Sequence, residues 1–505
     1  MTQTPQDPSG KAATRFPPAT DGAPRPPAAD GAHPQVAADG APPQEAVDQT
    51  GRATAGGGFG LPVAIALIMG SIIGVGIFNL PSALAPIGPI TLVSMGLTTV
   101  GALALAVMFG ALSRRLPADG GPYAYARVAF GNGIGFMNAW SYWITAWAGN
   151  AAIAVGWVLY VEHFINKGHN TLFSIGLVLI GLWIPAAINL SGVQNMGAIQ
   201  VITTVLKFAA LAFVSIVGLF FINTAHYTPW NVSGQSTALA IGSGMAIALF
   251  SYLGVETAAV AAGKVKDPDR NVPRATVLGT LACASVYILS LIVVFGVLPG
   301  ATLKESSAPF SAAVDTMFGG TVWGNVMAVV VIISGLGALN GWTMISAEMP
   351  LAAAKDGIFP ERFKQLSRSS VPAFGIIAST VLATVAMIVN YLGTSGANAF
   401  TTLVLMTGIT AAIPYAFSAL AQLKWRWTDR QKYNTPRFAR DAIVAVLALV
   451  FSILFIWYSR NTSGETTFSY WAPFILAGVA LLVGIPVYRA QRGHLTEPQP
   501  VPEYR

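Results

Sequence analysis

Three ionisable side chains, Lys207, Glu256 and Glu348, stand inside long apolar stretches of the chain. Charge among apolar residues is costly and usually handles an ion, a proton or a charged solute. Gln200, Thr203, Thr204 and Lys207 follow at i, i+3, i+4 and i+7, one polar stripe on an otherwise apolar helix. Such a stripe must face the interior of a bundle. Glu348 lies six positions after Trp342, about 240° around a helix. It therefore cannot share the face of Trp342, and is expected near a helix end beside Lys355.

Glycines accompany these charges. One stretch reads Met69-Gly70-Ser71-Ile72-Ile73-Gly74-Val75-Gly76-Ile77-Phe78 with Pro81 behind it, and another Phe250-Ser251-Tyr252-Leu253-Gly254-Val255-Glu256. Glycines at i, i+2, or a glycine just before an acid, suit a helix broken at the bilayer midplane. The competing reading is that Gly70 and Gly74 form a small-residue packing face. A break has a chemical use. Freed amides around Val75 and Gly76 can hold a carboxylate at a positive helix end. Freed carbonyls around Ser71 and Ile72, and around Phe250 and Leu253, can accept from an ammonium group. A zwitterionic amino acid head fits between them. Glu256 would then begin a half-helix, where the dipole stabilises its charge whether or not it handles protons.

Other chemistries find no residues to carry them. All five His (His33, His163, His169, His226 and His494) fall in tails, loops or span ends, without metal-ligand spacing. The single cysteine, Cys283, lies in an apolar run, which excludes a disulfide scaffold. Gly131-Asn132-Gly133-Ile134-Gly135 follows no strand and opens an apolar helix, so it is no dinucleotide loop. No phosphate-binding loop is present. Neither an enzyme nor an ATP-driven pump is expected, and no cofactor or metal.

The elements that must position these residues are membrane helices. The chain has 505 residues, of which 10% are charged and 54% hydrophobic, against roughly 25% charged in an ordinary soluble protein. Runs long enough to cross a bilayer recur near 60–88, 90–113, 133–161, 171–190, 196–222, 237–262, 275–299, 320–350, 371–393, 397–422, 441–459 and 470–488. The third and eighth are longer than needed. Lipid leaves no partner for open backbone groups, so the fold class is an all-α multi-pass bundle of twelve transmembrane helices, the first and sixth broken. Residues 1–57, rich in Pro, Ala, Gly and Asp, read as a disordered tail. The transporter-like domain occupies 58–490, with five-span blocks at 60–222 and 237–422 and two last spans at 441–488. Residues 491–505 form a short tail. With both termini in the cytoplasm, nearly every Lys and Arg falls on the inner side; Lys167, Lys304 and Arg460 lie outside and Lys207 within a span. The net charge of +7 is then a topology signal, and no nucleic-acid partner is expected.

Several motifs resemble a known family. Gly70–Pro81, Gly120-Gly121-Pro122-Tyr123-Ala124-Tyr125-Ala126-Arg127, Tyr252–Gly263, the loop Lys266–Arg274 and Gly341-Trp342-Thr343 look like the amino acid–polyamine–organocation (APC) superfamily. The nearest branch is that of the basic amino acid/polyamine antiporters, typified by arginine/agmatine exchange. The resemblance spans about 59–490. It implies a five-plus-five inverted repeat of the LeuT type that works by alternating access.

Carried over by position, Trp342 matches the tryptophan that stacks on the substrate's aliphatic chain and cationic end, worth about 2 kcal/mol in a dry site. Asn150 matches the amide that binds the guanidinium group, Phe250 the gating aromatic, Glu256 a sixth-span carboxylate and Thr407 a tenth-span hydroxyl. Tyr142, Ala146, Asn150 and Ile153 fall within about 80° of arc on one helix, with Thr145 alongside, so one face can line a cavity. As residues alone, Trp342, Tyr142 and Phe250 also read as packing, and Asn150 as a helix–helix hydrogen bond. Ser71, Val75 and Phe250 stand where the branch has Asn, Ser and Trp, which leaves the backbone cradle intact. Lys207 resembles a fifth-span lysine of proton-coupled symporters in the same superfamily. It reads as a proton carrier, as a charge tethering the first and fifth helices, or as a residue snorkelling to an interface.

The expected function is secondary transport of amino acids across a bacterial inner membrane. Exchange of a basic amino acid for its decarboxylated amine or for another basic amino acid is favoured, with proton-coupled uptake through Lys207 as the alternative. The expected partners are small amino acid or amine substrates and the bilayer, with a homodimer a further expectation.

Overall fold

The computed structural model describes residues 60–498 apart from 118–119, 193–195, 261–264, 393, 430–434 and 463–465. The expected tail at 1–57 lies outside the described residues. What is described is helical, and the apolar runs of the sequence account for nearly all of it. The first run is divided into α1 (Leu61–Ile72) and α2 (Gly76–Leu84), followed by α3 (Thr91–Arg115), the short α4 (Pro122–Phe130), α5 (Asn132–Ile165), α6 (Thr171–Leu190) and α7 (Met196–Val217). Next come α8 (Thr237–Leu249), α9 (Thr257–Val260), α10 (Pro268–Val297), α11 (Gly300–Glu305), α12 (Pro309–Phe318) and α13 (Val322–Lys355). The series ends with α14 (Ala373–Tyr391), α15 (Gly396–Thr428), α16 (Thr435–Tyr458) and α17 (Thr467–Gln491).

Among the described residues, eleven helical stretches are long and apolar enough to cross a bilayer. The two spans expected to be overlong, α5 and α13, are each 34 residues. The expected span at 237–262 is different. Its apolar helix is the shorter stretch Thr237–Tyr252, followed by an unwound segment before α9. Hydropathy alone could not show this, because Leu253, Gly254 and Val255 are as apolar as a continuous helix would be.

Helix starts follow their capping residues. Asn170, Ser236, Ser395 and Thr466 each accept a backbone N–H of the first turn of α6, α8, α15 and α17. Outward faces are apolar: Ile202, Val205, Phe213 and Ile216 are exposed on α7, whereas Thr203, Thr204 and Lys207 on the same helix are buried. This is the inverse of a soluble helix, as lipid contact requires. The centre of the bundle is α5, which packs against α15, α13, α14 and α6; 94% of its most apolar window is buried.

One end of the bundle is tied by charge. Arg115 at the end of α3 meets Asp429 beyond α15 at 2.5 Å, and Arg426 meets Asp441 of α16 at 2.7 Å. Arg127 of α4 pairs with Asp356 at the end of α13 at 3.0 Å. The same guanidinium donates to the carbonyl and hydroxyl oxygens of Thr496 at 2.8 and 2.9 Å. Asn132 also donates to the Thr496 carbonyl, and the Thr496 hydroxyl donates to the Asp356 carbonyl. The chain just past α17 is thereby docked across α4, α5 and α13. Tyr123 donates to Asp356. Its burial, and then the Asp356 charge, push the phenol above its ordinary range, so it stays a donor at physiological pH.

Arg127→Ala leaves Asp356 and Tyr123 facing each other without the cation and removes two of the hydrogen bonds that hold Thr496. Hydrogen exchange should quicken at 494–498, and thermal stability in detergent should fall by about 1–3 kcal/mol. Unchanged protection of that segment would show that the tie does not hold it.

Candidate functional site

The first helix stops because its backbone ladder is interrupted at Ile73–Val75. Gly74 N–H turns back to the Ile72 carbonyl at 2.9 Å, and helical bonding resumes with Phe78 N–H on the Val75 carbonyl at 3.0 Å. The amides of Val75, Gly76 and Ile77 therefore have no backbone acceptor among the described residues. In the second break, Leu253 N–H bonds the Phe250 carbonyl and Val255 N–H the Tyr252 carbonyl, each at 3.3 Å, before α9 begins. The two breaks touch. Gly254 has φ +105°, and a β-carbon there would lie 2.8 Å from the Ser71 carbonyl oxygen.

Between the breaks is a cavity of about 20 Å³, room for about one water molecule. Ser71, Ile72, Gly74 and Gly76 border it on one side, Phe250 and Leu253 on the other, with Ile153 and Trp342 closing it. All eight were expected from the sequence. Ile77, Gly149 and Ser251 also border it and were not foreseen. The Trp342 indole N–H donates to the Ser71 carbonyl at 3.3 Å, which fixes the ring against the first break. The freed carbonyls are less free than expected: Ile72 accepts from the Tyr287 hydroxyl at 3.0 Å, and Phe250 from Leu253. Each carbonyl keeps a second lone pair, and the Leu253 carbonyl accepts no backbone bond among the described residues.

The remaining expected residues sit around the cavity rather than on it. Val75 packs toward Gly335 of α13. Ala146 is wholly buried. Thr145 bonds Thr410 across the α5–α15 contact at 2.9 Å, and the Thr407 hydroxyl turns back to the Leu403 carbonyl. Asn150 donates to the Thr343 hydroxyl at 3.0 Å, while its buried Oδ1 has no partner among the described residues. Tyr142 donates to Glu256 Oε1 at 2.8 Å. Tyr415 donates to Oε2 at 2.7 Å, and Gly254 N–H to Oε2 at 3.2 Å. Glu256 is thus a fully enclosed carboxylate held by three donors. Tyr415 was missed, although it lies eight residues after Thr407, some 80° around the same helix.

Lys207 is fully buried and donates to the Gly70 carbonyl at 3.1 Å, so it stands away from either interface. The side chains of Gln200 and Thr204 also lie over Gly70, and Thr203 faces Gly337 of α13. The polar stripe thus faces the helix that is broken. Glu348 is half-buried and does not border the cavity. Among the described residues no group of His, Cys, Asp and Glu is arranged to hold a metal.

A second, larger cavity of about 660 Å³ opens at the end of the bundle opposite the Arg127–Asp356 tie. Asn79, Glu162, Lys304, Tyr391, Asn398 and Phe400 are among its walls. The Phe400 ring on this side meets the Phe250 ring of the small cavity edge to face, with centroids 6.1 Å apart. Phe250 occupies the space that a side chain on Gly76 would need, its Cδ1 lying 2.6 Å from the missing β-carbon.

Residues 59–481 match the family described as amino acid permease. The chain is 32% identical over 408 residues to the putrescine transporter PotE of Haemophilus influenzae, an alignment covering 80% of this chain and 91% of that protein. It is 31% identical to a putative arginine/ornithine antiporter of Bacillus subtilis, covering 85% and 96% of the two chains. A cadaverine/lysine antiporter of Escherichia coli is 28% identical, covering 84% and 93%.

Gly254→Ala places a β-carbon against the Ser71 carbonyl in a backbone conformation costing roughly 1–3 kcal/mol for any other residue. The two breaks should separate and transport should fall to background, while detergent-solubilised protein stays monodisperse. Wild-type transport by this variant would show that the contact between the breaks is dispensable.

Proposed function

The chain belongs to the amino acid permease family, and on that footing we propose that it exchanges basic amino acids and their amines across a bacterial inner membrane by alternating access. The observation that carries this reading is the pair of breaks packed on one another, with the Val75, Gly76 and Ile77 amides free and the Trp342 ring pinned beside them. The amides suit a carboxylate; the ring and Asn150 Oδ1 suit a cation at the far end of an aliphatic chain. The relatives named for putrescine, arginine/ornithine and cadaverine/lysine all take basic solutes, which supports the same class here. Arginine with agmatine or ornithine is the pair we favour. The blocks at 60–222 and 237–422 would be the inverted repeats, 441–488 the two last spans, and both termini cytoplasmic.

In this reading the larger cavity is the outer vestibule, and Phe250 with Phe400 is the gate between it and the binding site. A cavity with room for one water must expand before an amino acid enters, and rotation of Phe250 away from Gly76 would open it toward the larger cavity. The ties around Arg127, Arg115 and Arg426 close the inner side. Glu256, enclosed with Tyr142 and Tyr415, is the group placed to couple substrate to a proton or to gating.

The test is uptake of labelled arginine into proteoliposomes, empty or preloaded with arginine, agmatine, ornithine or lysine, without a pH gradient. Uptake confined to preloaded vesicles is expected, and the effective preload names the counter-substrate. Trp342→Leu should abolish saturable uptake in a folded protein; wild-type affinity in that variant would remove Trp342 from the site.

Lys207 supports a second reading, proton-coupled uptake, because a buried amine tied to the first break could pass a proton as that helix moves. Lys207→Met separates the two. As a tether its loss should slow exchange about tenfold, roughly the 1.4 kcal/mol of one hydrogen bond, at every pH. If Lys207 carries the proton, the variant instead loses its pH dependence and its response to an inward proton gradient.

A further inference from the structure

The larger cavity holds a feature that the central site does not use. Glu162, near the end of α5, borders it with a side chain 2% exposed. One carboxylate oxygen, Oε1, accepts from Asn166 Nδ2 at 3.0 Å and from the Ser174 hydroxyl. The other, Oε2, meets the His169 ring at 2.7 Å, and that ring is 55% exposed. The loop carrying His169 does not depend on this contact, because Asn166 Oδ1 accepts from Asn170 N–H at 3.1 Å and Asn170 caps α6. Oε2 is therefore a buried acceptor whose partner can swing into water.

Tyr391, at the end of α14, supplies an independent observation. It is 2% exposed and borders the same cavity as Glu162, yet its hydroxyl has no hydrogen-bond partner among the described residues. The hydroxyl and the Leu159 side chain, one turn before Glu162 on α5, both lie against Gly396. A buried hydroxyl without a partner is unfavourable unless something arrives to bond it. A carboxylate with one displaceable partner and an unpaired hydroxyl on the wall of the same cavity match an N–H-rich cation. Among the described residues the remaining charges on the cavity wall are Lys304 and Glu305, which offset each other, and Glu162 sets the sign of the inner wall.

We propose that Glu162 and Tyr391 form an outer capture site for a primary ammonium or guanidinium group, in which the cation takes the place of the His169 ring at Glu162 Oε2 and donates a second hydrogen bond to the Tyr391 hydroxyl. The site rests on the reading of this chain as a carrier of basic solutes with this cavity on the outer side. It holds the solute by its cationic end before Phe250 moves, leaving the carboxylate end free for the amides at the first break.

The experiment measures half-saturation for labelled arginine in right-side-out and inside-out membrane vesicles preloaded with arginine. Glu162→Gln should raise the value about tenfold in right-side-out vesicles, as when a charge-assisted hydrogen bond becomes neutral. The maximal rate and the inside-out value should stay as in the wild type. Tyr391→Phe loses no existing hydrogen bond, so it folds even if Glu162→Gln does not, and should raise the right-side-out value about threefold. His169→Ala removes the competitor and should lower it. An equal rise in both vesicle orientations, or no rise in either variant, overturns the capture site while leaving basic exchange standing. Wild-type vesicles that carry neither arginine nor putrescine in either orientation would instead overturn the reading of the substrate class, and the capture site with it.

Discussion

Backbone that leaves a helix inside a membrane must find partners within the protein, and that constraint shapes the rest of this molecule. At Ile73–Val75 and Leu253–Glu256 the ladder is interrupted, and lipid could not satisfy the groups released. The bundle therefore encloses them. Trp342 and Tyr287 bond carbonyls of the first break, Lys207 reaches the turn before it, and Gly254 N–H is taken by Glu256. The donors left over, Val75, Gly76 and Ile77, border or adjoin the cavity between the breaks. The backbone donors proposed to hold a carboxylate are thus those whose ladder could not be completed.

Enclosure and access pull against each other. A packed centre holds the unwound segments in register, but it leaves room for about one water in the cavity proposed to take the solute. The aromatic pair Phe250–Phe400 stands between that cavity and the larger one. Each ring faces a different cavity, and the contact between them is edge to face, with no hydrogen bond to break. At the far end the closure is of another kind, with Arg115, Arg127 and Arg426 each paired to a carboxylate on a different helix. In the proposed cycle one side would open by moving a ring, the other by parting charges.

Much of this was legible in the sequence. The glycine spacing at Gly70, Gly74 and Gly76 and the glycine before Glu256 marked both breaks, because few other reasons place such residues mid-membrane. The stripe at Gln200, Thr203, Thr204 and Lys207 marked the inward face of α7. Periodicity alone could give a face and not a neighbour. Thr145, Thr407 and Asn150 do lie on inward faces, but those faces meet other helices. Tyr415 was overlooked because its partner, Glu256, is distant in sequence. The interruption at Leu253 is invisible to hydropathy, so the run at 237–262 read as one span, and only the glycine before Glu256 marked that span as broken.

The 34 residues of α13 carry Trp342 near the middle and finish beside Asp356. At 1.5 Å per residue, the 14 positions from 342 to 356 span roughly 21 Å. A straight helix of that length magnifies small rotations: a 10° tilt about the indole displaces the far tip by nearly 4 Å, more than the Arg127–Asp356 separation can absorb, and only bending at Pro350 would relieve it. The segment around Thr496 rests on that tip. It is therefore seated at the end of α13 where any tilt about Trp342 has its largest displacement.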